Sequence, residues 1–158
     1  MKKLLSLYLI FAMNMVYSQN IESPSKEISV NFKLSVSGQP SYSVNYKNKP
    51  VIQESTLGIK LKGKPDLDAN FEIDNVKNSS FNESWIPVLG EQATIVNHYN
   101  ELIISLIQKE TQIKMNLIFR VFDEGVAFRY DFPKQKNLNY FIISDEVSQF
   151  NLTDNHKV

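Results

Sequence analysis

Three observations predict an all-β fold, an antiparallel β-sandwich incomplete at its C-terminal end. Apolar and polar residues alternate strictly in several short runs, as on strands with one buried face. Turn-forming residues punctuate those runs at short intervals. No amphipathic helix of ordinary length can be drawn, and many short strands joined by tight turns pack as two sheets.

Ile28, Val30, Phe32, Leu34 and Val36 alternate with polar neighbours and form the first strand. Ser37-Gly38-Gln39-Pro40 is a turn, and Tyr42, Val44 and Tyr46 make the returning strand of a hairpin. Lys47 to Pro50 breaks that strand. Val51-Ile52 opens a short third one, and Leu57, Ile59 and Leu61 form a further run. Gly63 to Asn70 is irregular, because Pro65 bars a central strand. Phe71 to Val76 is a strand, and Lys77 to Ser84 is polar and loop-like.

Between Tyr99 and Ile107 apolar residues fall on both faces, which fits a central strand covered on both sides; a helix competes there. Lys109 to Gln112 is a hairpin turn, and Ile113, Met115, Leu117, Phe119 and Val121 alternate cleanly. Phe122-Asp123-Glu124-Gly125 is a tight turn in which Gly125 supplies a positive φ. Val126, Phe128 and Tyr130 resume the alternation and put Arg129 on the opposite face. Pro133 to Asn137 is a loop, Leu138 to Ile143 the last strand, and Asp145 to Val158 a polar end with no closing element.

The N-terminus reads as a secretory signal over residues 1–18: Lys2-Lys3 is the positive region and Leu4 to Met13 the short apolar region. Val16-Tyr17-Ser18 precedes cleavage before Gln19. Residues 19–158 then form one domain, long enough for a real core. The chain has 17 basic and 17 acidic residues; without Lys2 and Lys3 it carries 15 against 17, a net charge near −2. With no basic stripe, nucleic acid is not expected as a partner. No membrane association is expected once the signal is removed. The chain has no Cys, which excludes disulfides, thiolate chemistry, Cys-based zinc sites and a lipoprotein anchor. An exported protein without disulfides fits a bacterial periplasm, with an extracellular location as the alternative. The Asn-x-Ser/Thr sequons at Asn78, Asn82 and Asn151 are then read as accidental.

The segment Trp85 to Leu102 gathers the only Trp, one of two His, and several Asn and Glu between apolar runs. Trp85, Glu91, Asn97, His98, Asn100 and Glu101 are the candidates for substrate binding or a domain interface. Trp85 offers a flat apolar ring suited to a sugar face, against the ordinary reading of a core Trp. Glycoside hydrolysis needs two carboxyl groups flanking the scissile bond, and spacing pairs none of Glu91, Glu101, Asp123 and Glu124. Asp123 and Glu124 read as turn formers, and Glu101 as half of a structural ion pair with Arg120 or Arg129. One His without a second nearby makes His98 a weak metal ligand or base, and His156 has no context. Neither a Gly-x-Ser-x-Gly elbow nor a phosphate loop is present. No catalytic and no metal-ligating residue is assigned.

Two blocks carry a family resemblance: Trp85-Ile86-Pro87-Val88-Leu89-Gly90-Glu91 followed by Asn97-His98-Tyr99-Asn100-Glu101-Leu102, and Phe119 to Tyr130, Phe-Arg-Val-Phe-Asp-Glu-Gly-Val-Ala-Phe-Arg-Tyr. With Leu138-Asn139-Tyr140-Phe141 and the opening hairpin through Lys49, the chain resembles the N-terminal domain of glycoside hydrolase family 97. The resemblance implies exported bacterial α-glucosidases or α-galactosidases with an N-terminal β-supersandwich, a catalytic (β/α)8 barrel and a C-terminal β-domain. It implies Ca2+ in the active site of the full-length enzyme, with none assigned to this chain, and catalytic glutamates supplied by the barrel. The expected partners are that barrel and an oligo- or polysaccharide substrate. The chain is therefore expected to support the barrel and shape the carbohydrate cleft without activity of its own, with Trp85 to Leu102 facing the barrel. A stand-alone periplasmic carbohydrate-binding module and a non-functional truncated product are the alternatives.

Overall fold

The computed structural model describes residues 17–91 and 93–154. The expected leader lies outside them except for Tyr17 and Ser18, as do Gln92 and His156. The described residues form ten strands: β1 (Tyr17–Glu22), β2 (Ile28–Leu34), β3 (Pro40–Tyr46), β4 (Lys49–Thr56), β5 (Ile59–Leu61), β6 (Phe71–Trp85), β7 (Ile95–Gln108), β8 (Lys114–Val121), β9 (Val126–Asp131) and β10 (Ile143–Glu146). One antiparallel sheet has the order β1-β2-β3-β4, a second β6-β7-β8-β9, and β10 pairs with β5.

The two four-stranded sheets face each other, as the alternation requires. Ile28, Val30, Phe32 and Leu34 of β2 are all buried, with half-exposed residues between them. Leu102, Ile104 and Leu106 of β7 and Met115, Leu117, Phe119 and Val121 of β8 supply the facing layer. Phe119 is the hub: its ring lies 6.4 Å from Phe32 and 6.0 Å from Tyr42, both in the opposite sheet. Each such buried side chain contributes roughly 1.5–3 kcal/mol. The all-β sandwich predicted by the alternation is the observed fold.

Turns also follow from residue chemistry. Lys47 and Asn48 both adopt positive φ (48° and 63°), so a two-residue turn joins β3 to β4 and the strand resumes at Lys49. Gly38 has φ +72°, and its carbonyl accepts the Phe71 N–H at 3.0 Å. A Cβ there would sit 2.4 Å from the Phe71 nitrogen. Only glycine lets the β2–β3 turn touch the start of β6.

Several expectations are corrected. Val36 leaves the first strand and is exposed, because the chain turns after Leu34 with Ser35 donating to the Gln39 carbonyl. Gly125 has no positive φ; the β8–β9 turn closes through the Phe122 N–H and the Gly125 carbonyl at 2.8 Å. Residues 77–84, read as loop, belong to β6, which pairs with β7 from Phe71↔Gln108 to Trp85↔Ile95. A long backbone ladder overrides the weak strand propensity of Asn, Ser and Glu there. The far side of β7 is only half covered at Ile103 and Ile107. The last strand is Ile143–Glu146 rather than residues 138–143: Leu138 is buried in the core and the Phe141 ring packs tilted against Phe132 at 4.9 Å, both from a loop.

The polar end does contain a closing element. Residues 147–153 run along β4, with Gln149 N–H donating to the Thr56 carbonyl (2.9 Å) and Gln53 N–H to that of Asn151 (2.8 Å). The Tyr42 hydroxyl donates to the Gln149 carbonyl (3.1 Å), and Phe150 packs 5.9 Å from Phe128. The sandwich remains open along β9, which has β8 as its one strand partner among the described residues.

Candidate functional site at the β6–β7 arm

The β6–β7 ladder is longer than its neighbours. The β7–β8 ladder reaches no further than Asn100↔Val121, whereas β6 and β7 stay paired out to Trp85↔Ile95. Residues 81–85 and 95–99 therefore form a two-stranded arm that projects about 15 Å past the sheet, and residues 86–91 leave its end as a cap. A two-stranded ribbon is marginal by itself, so the way its base is tied decides its rigidity.

That base is built from residues of both conspicuous sequence blocks. Tyr99 is buried, stacks on Phe81 at 5.2 Å and touches Phe122 at 5.1 Å. The Arg120 guanidinium lies over the Tyr99 ring at 4.7 Å, and its Nε donates to Glu101 Oε2 at 2.7 Å. The Glu101 side chain is 16% exposed, so this is a partly desolvated ion pair on an aromatic platform. Asn100 points to the other face and donates to the Glu22 carbonyl at 2.8 Å, pinning the arm to β1. Asp123 accepts the Ser25 N–H at 2.7 Å. That backbone bond, with the Ser25 and Ser23 hydroxyls and the nearby His98, holds its carboxyl below the usual range.

Period-two geometry divides the six candidates between faces. Asn97 and Glu101 share a face with Tyr99, and Trp85 lies there through its partner Ile95. His98 and Asn100 take the opposite face. Glu91 is exposed in the cap, away from strand order. Glu101 and Asn100 thus serve the arm's attachment, Glu101 with Arg120 as its charge suggested. Trp85 is not a core residue; it is 44% exposed at the end of β6. The sequence reading missed the residues beyond it: Ile86, Val88 and Leu89 are 80%, 97% and 91% exposed, and Val96 is also exposed. The signal was the apolar run in Trp-Ile-Pro-Val-Leu itself, which no alternation explains.

The arrangement offers little for bond-breaking chemistry. Glu101 is engaged by Arg120, Asp123 by Ser25, and Glu91 stands alone in the cap. Among the described residues no three His, Asp or Glu side chains converge as a metal site. What the arm presents is an apolar tip on a braced stalk. Contiguous exposed apolar side chains of this kind mark an interaction surface or a ligand groove.

Comparison with known proteins gives the family. Residues 21–158 match the glycosyl-hydrolase 97 N-terminal family. A glycoside hydrolase family 97 enzyme from Pseudoalteromonas sp. strain K8, solved in complex with panose and with acarbose, is 34% identical with a TM-score of 0.81. The match covers 86% of this chain and 20% of that enzyme. A β-arabinopyranosidase crystal structure, 24% identical with a TM-score of 0.76, shares the fold over 85% of this chain and 21% of its own. The chain thus spans about a fifth of the length of these solved proteins. The match over residues 21–158 decides the family: the chain belongs to the N-terminal domain family of the glycoside hydrolase family 97 enzymes.

Proposed function

We propose that this chain is the barrel-supporting, cleft-shaping N-terminal domain of an exported α-glycosidase, inactive alone. The observation that carries the reading is the arm: Ile86, Val88 and Leu89 are held out from the sandwich by a braced base and stand almost fully exposed, beside a half-exposed Trp85. A catalytic barrel is the partner, and the arm reaches its rim. The panose and acarbose complexes of the Pseudoalteromonas relative support an α-linked glucoside as substrate. Lys2-Lys3 and the apolar run to Met13 support export to the periplasm. Ca2+ is proposed for the full-length enzyme, with ligands supplied outside the residues described here.

The test is an assay of the purified chain on an aryl α-glucoside beside a mock purification, with a parallel measurement of its association with the catalytic barrel of a family 97 enzyme. No turnover and arm-dependent association are expected. Turnover above the mock overturns the reading. Saturable glycan binding by the soluble monomer, without barrel association, transfers it to a stand-alone carbohydrate-binding module, for which the exposed Trp85 ring is the specific feature.

A further inference from the structure

The outer edge of β6 carries a charge pattern that its pairing with β7 does not use. At the start of that ladder the Lys109 N–H donates to the Asn70 carbonyl at 2.9 Å, so the odd-numbered residues of β7 bond towards β6. Their partners include Lys77, Ser79, Phe81 and Glu83. Alternation then aims the N–H and C=O groups of Val76, Asn78, Ser80, Asn82 and Ser84 outward. Among the described residues β7 is the one strand paired with β6, and no other backbone group meets those five. The first sheet does not cover this edge. β1 stands over β7, where Asn100 donates to the Glu22 carbonyl, and residues 77–85 of β6 are exposed.

We propose that two copies of this chain pair through β6, antiparallel about a two-fold axis at Ser80. A long row of outward backbone donors and acceptors is a template for another strand, and an isologous contact requires a surface complementary to itself. This edge meets that requirement in one register. Lys77 falls opposite Glu83 of the second copy, twice by symmetry, and Asn78 falls opposite its Asn82. In the phase set above, Lys77 and Glu83 form a non-hydrogen-bonded pair, whose Cα atoms approach to about 4.5 Å and whose side chains lie closest. Neither has an ion-pair partner among the described residues. The Ser80/Ser80 and Asn78/Asn82 pairs are hydrogen-bonded ones and take up the outward backbone groups. Sliding the copies by one step either way sets Lys77 against Phe81 or Trp85 and Glu83 against Asn75 or Ser79, which leaves every charge unmatched. Each β1 stays over its own β7, three strand spacings or about 14 Å from the other, so the first sheets do not collide. Residues 81–85 of each copy then run along residues 75–79 of the other, and each two-stranded arm gains a third strand.

Sedimentation of the purified 158-residue chain between about 1 µM and about 1 mM, the range of modest interfaces, tests this. A dimer is expected. Lys77→Glu sets like charges opposite each other at both pairs and should weaken it about tenfold or more, as should Glu83→Lys. Combining the two exchanges the charges and should restore the dimer to within about threefold of the parent. With rising concentration, amide exchange of Asn78, Ser80 and Asn82 should slow about tenfold or more, and that of Ser79 and Phe81, already bonded to β7, should change less. A chain that stays monomeric over the whole range overturns the proposal. A dimer that either charge reversal leaves intact, or that the combined exchange fails to restore, overturns it equally. Neither result touches the domain reading, which turnover and barrel association decide.

Discussion

Tyr42 gives the most demanding test of how the sandwich closes. Its ring is 2% exposed among Phe119, Phe128 and Phe150, and its hydroxyl donates to the Gln149 carbonyl at 3.1 Å. Burial, with Tyr130 nearby, pushes the phenol up to about 12. An unfolded tyrosine ionises near pH 10. The folded state therefore keeps a proton that the unfolded state has lost. The resulting stability is fully present below about pH 10 and disappears as pH rises through about 12. Two pH units correspond to about 2.7 kcal/mol for a sealed group. The hydroxyl meets Gln149 towards the rim, so solvent screening reduces this to about 1–2 kcal/mol. Tyr42→Phe is expected to lose about 1 kcal/mol at neutral pH, the worth of the hydrogen bond. It should also lose less than the parent between about pH 8 and about pH 11, by about 1 kcal/mol, since about pH 11 still lies below the folded value. Urea unfolding followed by far-ultraviolet circular dichroism at about pH 8 and about pH 11 measures both. An alkaline loss in Tyr42→Phe as large as in the parent would refute the buried phenol and, with it, the packing of residues 147–153 against β4.

Further outcomes follow from the same contacts. Arg120→Met strands the mostly covered Glu101 carboxylate and should cost about 2 kcal/mol in urea unfolding, with most of it recovered in the Arg120→Met, Glu101→Gln double variant. Gly38→Ala places a Cβ against the Phe71 backbone and should cost about 3 kcal/mol or prevent folding. Gly63→Ala, with similar φ but open space, should cost about 1 kcal/mol, so equal thermal shifts would contradict the close approach. Val88→Asp with Leu89→Asp should change stability by less than about 0.5 kcal/mol while abolishing association with the catalytic barrel, read by sedimentation. Asp123→Asn should lower stability at neutral pH and flatten its fall in acid. The depressed carboxyl stabilises above the ordinary carboxylate range, and that contribution is lost as pH falls through its folded value.

The core was legible because burial on one face leaves a period-two imprint: β2, β7 and β8 carry it in Ile28 to Leu34, Leu102 to Leu106 and Met115 to Val121. Where a strand buries little, the imprint is missing. Residues 77–84 are exposed along β6 and are held by backbone pairing to β7, which leaves no hydrophobic pattern. Residues 147–153 escaped notice for the same reason, being fixed by Tyr42, Ser55 and the β4 backbone. Of the site, the Glu101 ion pair was readable from charge and strand order. The exposure of Trp85 was not, because an aromatic residue in a sandwich sequence looks identical whether it fills a core or caps an arm.

The bonds between residues 147–153 and β4 join positions 93 to 103 apart in the chain, among them Asn151 N–H to Ser55 Oγ and Asn151 Nδ2 to the Glu54 carbonyl. Closing so long a loop comes late and slowly in folding, since its entropy must be met before the contacts form. Until then β4 is a bare template, open to wrong partners. A ribosome still holding residues 147–153, or a protease that cuts just before them, leaves the polypeptide in that vulnerable condition. A holding chaperone that delays collapse until the whole segment has emerged is the protection such a topology calls for.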